Sequence, residues 1–151
     1  MENMSSSRTS LGKFSFNLGF TLIELMITVA VVAILTAVAF PSYSAYIVRA
    51  RIGDALTPLA QYQLQMEQAS QDNGNYGSGT CAIPAPLNTA HFQFNCVLGA
   101  NGLTFVASAT GLGAMVGYAF TVNELAAQIT TAYPNRNSLP AACWLTRSGD
   151  C

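Results

Sequence analysis

Apolar residues fill the chain from Leu25 to Phe40, LMITVAVVAILTAVAF, without one charge, and PSYSAYIV carries the uncharged run on to Val48. A lipid core needs about 20 helical residues to be crossed, so this stretch predicts a membrane-length helix. Pro41 removes a backbone donor and clashes with the preceding turn, which predicts a bend, or the end of the helix, at that point. After Val48 the period changes. Ile52, Ala55, Leu59, Tyr62, Met66 and Ala69 recur at spacings of three and four, with Arg49, Asp54, Gln61 and Glu67 between them. That spacing predicts an amphipathic helix with one buried stripe. Gly53 and Pro58 are its weak points, and QDNGNYGSG should end it.

Beyond the helix the alternation turns to that of strands. FQFNCVL (Phe92–Leu98) sets Phe92, Phe94 and Cys96 against Gln93 and Asn95, and LTFVASA (Leu103–Ala109) follows after the short turn GANG. YAFTV (Tyr118–Val122) and AQITTAY (Ala127–Tyr133) flank a second turn at NELA. Four short antiparallel strands with one apolar face need a cover, and the amphipathic helix supplies it. The expected fold class is therefore α+β: a long bent N-terminal helix, membrane-embedded in its first half and packed in its second on a four-stranded antiparallel sheet. The tail PNRNSLPAACWLTRSGDC reads as a loop stapled by its cysteines.

Composition sharpens this picture. Of 151 residues 51% are hydrophobic and only 9% charged, well below the usual quarter, because the apolar run supplies much of the excess. The net charge of −1 gives no reason to expect a polyanionic partner. Arg8 and Lys13 precede the run, while Arg49, Arg51, Arg136 and Arg147 follow it without clustering. All four cysteines, Cys81, Cys96, Cys143 and Cys151, lie in the last half. No C-x-x-C occurs and His91 is the only histidine, so neither a metal site nor a cofactor is expected. An even cysteine count beyond a membrane-type segment reads as disulfides in an oxidising compartment, against the alternative of four buried thiols in the cytosol. Of the three connectivities, the sequence-adjacent one, Cys81–Cys96 with Cys143–Cys151, is the expectation.

The carboxylate of Glu24 at the head of the apolar run admits three explanations. A secretory signal peptide would use Arg8 and Lys13 as its positive region and cut near Ala37–Ala39, but Glu24 opens its apolar core and the run continues past the cut. A plain membrane anchor would use Glu24 only to complement the helix dipole, at about 0.3–1 kcal/mol. In the third, Glu24 awaits a partner. A carboxylate at the bilayer centre costs about 2.5–3.5 kcal/mol on insertion scales, and no Lys, Arg or His lies between Glu24 and Arg49. Cleavage after Gly19 would turn Phe20 into a new α-amine one helical turn from Glu24, able to meet its own Glu24 or that of a neighbouring copy. Ala33 and Ala37 give a small-x-x-x-small spacing that suits close helix approach, against the alternative that alanine is simply common in membrane spans.

The stretch G-FTLIELM, Gly19 to Met26, resembles the prepilin processing motif of type IV pilins and of type II secretion pseudopilins: a polar leader, a glycine, Phe20, Glu24 as the fifth mature residue and a long apolar helix. The leader is longer than the shortest pilin leaders. The resemblance implies that a membrane prepilin peptidase cuts after Gly19 and that the same enzyme N-methylates Phe20. It implies that Glu24 docks onto the preceding subunit, and that Pro41 falls where many type IV pilins break this helix. The implied division is a leader over 1–19, a transmembrane and polymerisation segment over 20–48 and a periplasmic or extracellular head over 49–151. The implied partners are other pilin subunits, the prepilin peptidase, the pilus assembly machinery and, before assembly, the inner membrane. The implied location is a single pass of the inner membrane with the head in the periplasm, and then the extracellular fibre.

The head discriminates within the family. QDNGNYGSGTC, paired strands and then CWLTRSGDC resemble PilE-type minor pilins, near which the DNA-uptake pilin ComP belongs. In type IV pilins a disulfide commonly pins the C-terminal loop, a role that Cys143 and Cys151 fit, and major pseudopilins usually lack it. A DNA receptor needs a basic stripe with stacking groups, and the candidate loop offers only Arg136 and Arg147 with Tyr133 and Trp144; Trp144 serves equally as packing for the staple. Enzyme chemistry is not expected. GLGAMVG (Gly111–Gly117) misses a dinucleotide loop by one residue and has no following helix, His91 has no catalytic partner in pattern, and Glu67, Asp72, Glu124 and Asp150 are scattered and read as solvated. The expectation is a non-enzymatic structural subunit of a type IV pilus, a minor pilin, with a DNA-uptake pilin or a secretion pseudopilin as the alternative.

Overall fold

The computed structural model describes residues 19–147 and 149–151; the leader, with Arg8 and Lys13, lies outside them. The chain divides into two compact units that meet between Phe40 and Pro41.

A single helix, α1, runs from Leu22 to Asn73. Its beginning is set by Thr21 and its end by Gly74, whose φ of +75° turns the chain left-handed while its N–H donates to the Ser70 carbonyl at 2.8 Å, a glycine C-cap. The helix does not stop at Pro41, nor at Gly53 or Pro58. A proline costs a helix one donor and one close contact, and intact turns on either side outweigh that loss. Within the first unit, the apolar residues from Leu22 to Phe40 are all exposed. This is the one helix among the described residues long and apolar enough to cross a membrane, with a mean hydropathy of 2.5 over its best window.

The second unit is the head. Ile52, Ala55, Leu59, Tyr62, Met66 and Ala69 form the buried face of α1, as their spacing requires. All but Ala69 join one apolar cluster with Phe92, Phe94, Phe105, Ala107, Ala109, Met115, Phe120 and Val122. Two short strands, β1 (Gly77–Ser78) and β2 (Thr80–Cys81), pair in a tight ribbon. The main sheet follows as β3 (Phe92–Leu98), β4 (Phe105–Gly111), β5 (Ala119–Asn123) and β6 (Gln128–Ala132), antiparallel in the order β3-β4-β5-β6. Its inner face sets large beside small: Phe94 opposes Ala109, which opposes Phe120, so the aromatic rings fill space that alanine leaves.

Both sheet edges are occupied. At β3, Cys96 is joined to Cys81 of β2. At β6, Thr130 exchanges two backbone hydrogen bonds of 3.0 Å with Ala141 of the tail, which removes an open edge that could pair with another chain. The second disulfide joins Cys143 to Cys151, so the bridges take the sequence-adjacent arrangement. Gly102 approaches Gly77 so closely that a Cβ there would strike the Gly77 carbonyl, and both need glycine's positive φ.

Candidate assembly site and head groove

Glu24 is held by its own helix. Its backbone N–H donates to Thr21 Oγ1 at 3.2 Å, and the Thr21 N–H reaches back to Glu24 Oε2 at 3.5 Å. This reciprocal pair is a capping box: two orphan donors of the first turn are satisfied, and the carboxylate sits where the helix dipole favours negative charge. Glu24 therefore caps its own helix. Phe20 and Glu24 are both exposed. Farther along, Thr28 Oγ1 donates to the Leu25 carbonyl at 2.8 Å and Thr36 Oγ1 to the Val32 carbonyl at 2.7 Å. Both hydroxyls are therefore satisfied inside the helix and add no polar demand to an apolar surround.

The residues grouped as a possible nucleic-acid footprint take separate duties. Trp144 Nε1 donates to the Thr121 carbonyl of β5 at 2.8 Å, and its half-buried ring packs on the core, so it anchors the tail. Arg136 Nη1 donates to the Asp150 carbonyl at 3.2 Å, bracing the stapled loop. Arg147 lines a groove of about 480 Å³ with Ser44, Ala45, Val48 and Arg49 of α1 and with Tyr118, Tyr133, Pro134, Asn135 and Thr146. The two tyrosine rings meet edge-on at 5.0 Å. Burial pushes the Tyr133 phenol above 10.0, helped by Tyr118 and Asp150, while Arg136 and Arg49 pull it down.

The stapled loop is organised from inside. Asp150 Oδ2 accepts the Thr146 hydroxyl at 2.6 Å and the N–H groups of Thr146 and Arg147 at 3.1 and 2.9 Å. The Thr146 hydroxyl, foremost, holds the Asp150 carboxyl below the usual 3.8. Thr130, the buried polar residue of β6, accepts the Leu145 N–H at 2.9 Å on its hydroxyl, which donates in turn to the Cys143 carbonyl at 2.7 Å. Like Asp150, two other head carboxylates expected to be solvated are engaged: Glu67 accepts the Tyr76 hydroxyl at 3.0 Å and Glu124 the Phe105 N–H at 3.4 Å, while Asp72 is exposed. His91 lies 2.8 Å from Asp54 and ties the start of β3 to α1. Sequence reasoning missed Thr21, Tyr118, Arg49 and Thr130. Only Thr21 had a local signal, the T-x-x-E spacing of a capping box.

A family profile described as "Type IV minor pilin ComP, DNA uptake sequence receptor" matches residues 41–135, and one described as "Prokaryotic N-terminal methylation motif" matches residues 15–40. The chain is 32% identical over 102 residues to prepilin peptidase-dependent protein D of Escherichia coli (strain K12), covering 65% of this chain and 70% of that one. It is 40% identical over 69 residues to type IV major fimbrial protein FimA of Dichelobacter nodosus, covering 46% of this chain and 43% of that one. Among solved structures, a type IV pilin from Shewanella oneidensis superposes with a TM-score of 0.49 at 18% identity, over 65% of this chain and 98% of that one.

Proposed function

This chain belongs to the type IV pilins, in the family of the minor pilin ComP, and we propose that it is a structural minor subunit assembled into a pilus through its N-terminal helix. In this reading residues 1–19 are removed by a prepilin peptidase acting after Gly19, and Phe20 becomes the N-methylated terminus. Residues 20–48 anchor the subunit in the inner membrane and later pack within the fibre, while residues 49–151 form the head, in the periplasm until extraction. The observation that carries the reading is the exposed, uncharged face of α1 headed by one carboxylate. An apolar helix with a satisfied interior is stable in lipid, and the same surface buries itself against like helices in a polymer. Cleavage supplies each copy with one ammonium to set against one Glu24, so neither charge need be buried alone.

Mass spectrometry of purified surface fibres tests this. The expected subunit begins at a methylated Phe20 and carries both disulfides. A protein that retains Met1 in the fibre, or that never enters it, contradicts the reading. Replacing Gly19 should leave the leader attached.

A second reading, a DNA-uptake receptor, is supported by the description of the matching profile. Against it stands a thin footprint: Arg49 and Arg147 in the groove neutralise few phosphates, and affinity for nucleic acid scales with that number. A mobility-shift assay at low salt decides it. The structural-subunit reading expects no sequence-dependent retardation; a shift confined to one sequence and lost in Arg147→Ala would establish the receptor.

A further inference from the structure

The head groove begins where the membrane-length run gives out. Twenty residues counted from Leu25, the first of the charge-free run, end at Ser44, and about 20 helical residues cross a lipid core. Ser44, Ala45, Val48 and Arg49 are what α1 contributes to the groove. From Ser44 to Arg49 the helix rises about 7.5 Å, close to the depth of one headgroup layer. Tyr43 and Tyr46, 68% and 62% exposed, stand on the same turns, where tyrosines mark a membrane–water boundary.

The groove suits a single phosphate. Its lining includes two guanidinium groups, Arg49 and Arg147, and no carboxylate. Among the described residues neither arginine has a carboxylate within ion-pair distance. Asp54, five residues beyond Arg49, is held by His91 at 2.8 Å. Asp150 is taken up by Thr146 and by the Arg147 N–H of its own loop. The rings of Tyr118 and Tyr133 meet edge-on at 5.0 Å, so they form one closed surface, and their hydroxyls can donate to an anionic oxygen. Ala45, Val48 and Pro134 supply apolar area, and the volume of about 480 Å³ is that of a small-ligand site.

We propose that this groove holds the headgroup phosphate of an anionic phospholipid while the subunit is anchored in the inner membrane. Arg49 and Arg147 meet the phosphate oxygens, and the acyl chains follow the uncharged length of α1. Two cations are few for a nucleic acid, whose affinity grows with the number of phosphates neutralised, but they match one phosphodiester. The lining has no carboxylate to meet an ammonium headgroup, which favours a lipid of net negative charge. This rests on the membrane-anchored stage of the proposed function, and adds a lipid that ties the head to the bilayer until the subunit leaves it.

The test is native mass spectrometry of the full chain in mild detergent, with phosphatidylglycerol and phosphatidylcholine added in equal amounts. One phosphatidylglycerol should be retained about tenfold more tightly than phosphatidylcholine, the scale of one to two cations at a lipid surface. The preference should fall to near unity in Arg49→Gln/Arg147→Gln and survive, reduced, in Arg49→Lys/Arg147→Lys. Arg51 lies about 200° around the helix from Arg49 and does not line the groove, so Arg51→Gln should change the preference less than twofold. A preference that is absent, that persists in the double Gln variant, or that Arg51→Gln removes equally overturns the proposal. So does one abolished by millimolar inorganic phosphate or by an equimolar DNA duplex. Flotation with vesicles checks the anchor separately. A chain that floats with vesicles of either lipid but shows no preference loses the headgroup site and keeps its anchor; a chain that floats with neither overturns both.

Discussion

Thr21 and Glu24 each satisfy the other's backbone N–H, at 3.2 and 3.5 Å. The carboxylate that we propose for assembly therefore already has a duty: it closes the first turn of α1. In that proposal a neighbour's ammonium approaches a carboxylate already held at the helix start, so less freedom is lost on docking. Thr21→Ala removes half of the box and should weaken the helix start by about 1 kcal/mol, visible as faster amide exchange at residues 22–25 in micelles, with Glu24 still able to enter fibres at a reduced level.

Thr130 bolts the tail to the sheet through its hydroxyl and backbone. Thr130→Val keeps the volume and leaves the Leu145 N–H and the Cys143 carbonyl short of a partner. The head should lose about 2 kcal/mol, read as a lower denaturation midpoint, and Trp144 emission should shift to the red as its loop loosens.

Tyr62 sets an alkaline limit. Its hydroxyl donates to the Ile83 carbonyl at 2.7 Å, and burial pushes its pKa from 10.0 to about 12. A folded pKa above the unfolded one means that the stabilisation is complete below pH 10 and is lost as pH rises towards about 12. Chemical denaturation across that window should show stability falling with pH. Tyr62→Phe should flatten the fall while costing about 1 kcal/mol at neutral pH for the lost hydrogen bond.

Ala126 holds a φ of +55° in the β5–β6 turn, a left-handed conformation that a Cβ disfavours. Ala126→Gly should raise head stability by about 0.5 kcal/mol, the relief of strain being partly offset by a more flexible unfolded chain. A higher melting temperature with unchanged fibre incorporation is the expected result.

Periodicity carried much of this fold. The 52–69 stripe lies in the core residue for residue, and β3 spans Phe92–Leu98 as its alternation required, because both elements bury one face against a single partner. β4 and β6 shifted by one or two residues at their ends, where turns rather than side-chain alternation decide pairing. Of the two outcomes expected at Pro41, a bend or an end, the end does not occur, since helix termination depends on the turns around a proline as well as on the proline itself. The ribbon Gly77–Cys81 is too short to alternate. The groove was illegible for another reason: Arg49, Tyr118, Tyr133 and Arg147 come from four separate places in the chain, and only the packed sheet and the stapled tail unite them. Arg136 and Trp144, close to Arg147 in sequence, were drawn off by backbone carbonyls.

Replacing Glu24 with Gln separates the two duties of that side chain most directly. Glutamine still accepts the Thr21 N–H and completes a capping box, but brings no charge to a neighbour's ammonium. Quantitative mass spectrometry of sheared fibres, normalised to the amount of mature subunit in the membrane, should find normal cleavage at Gly19 and incorporation reduced at least tenfold, roughly the 1.4 kcal/mol of one partly buried charge pair. Incorporation at the wild-type level would show that Glu24 is a cap alone and that the charge pairing does not build the fibre.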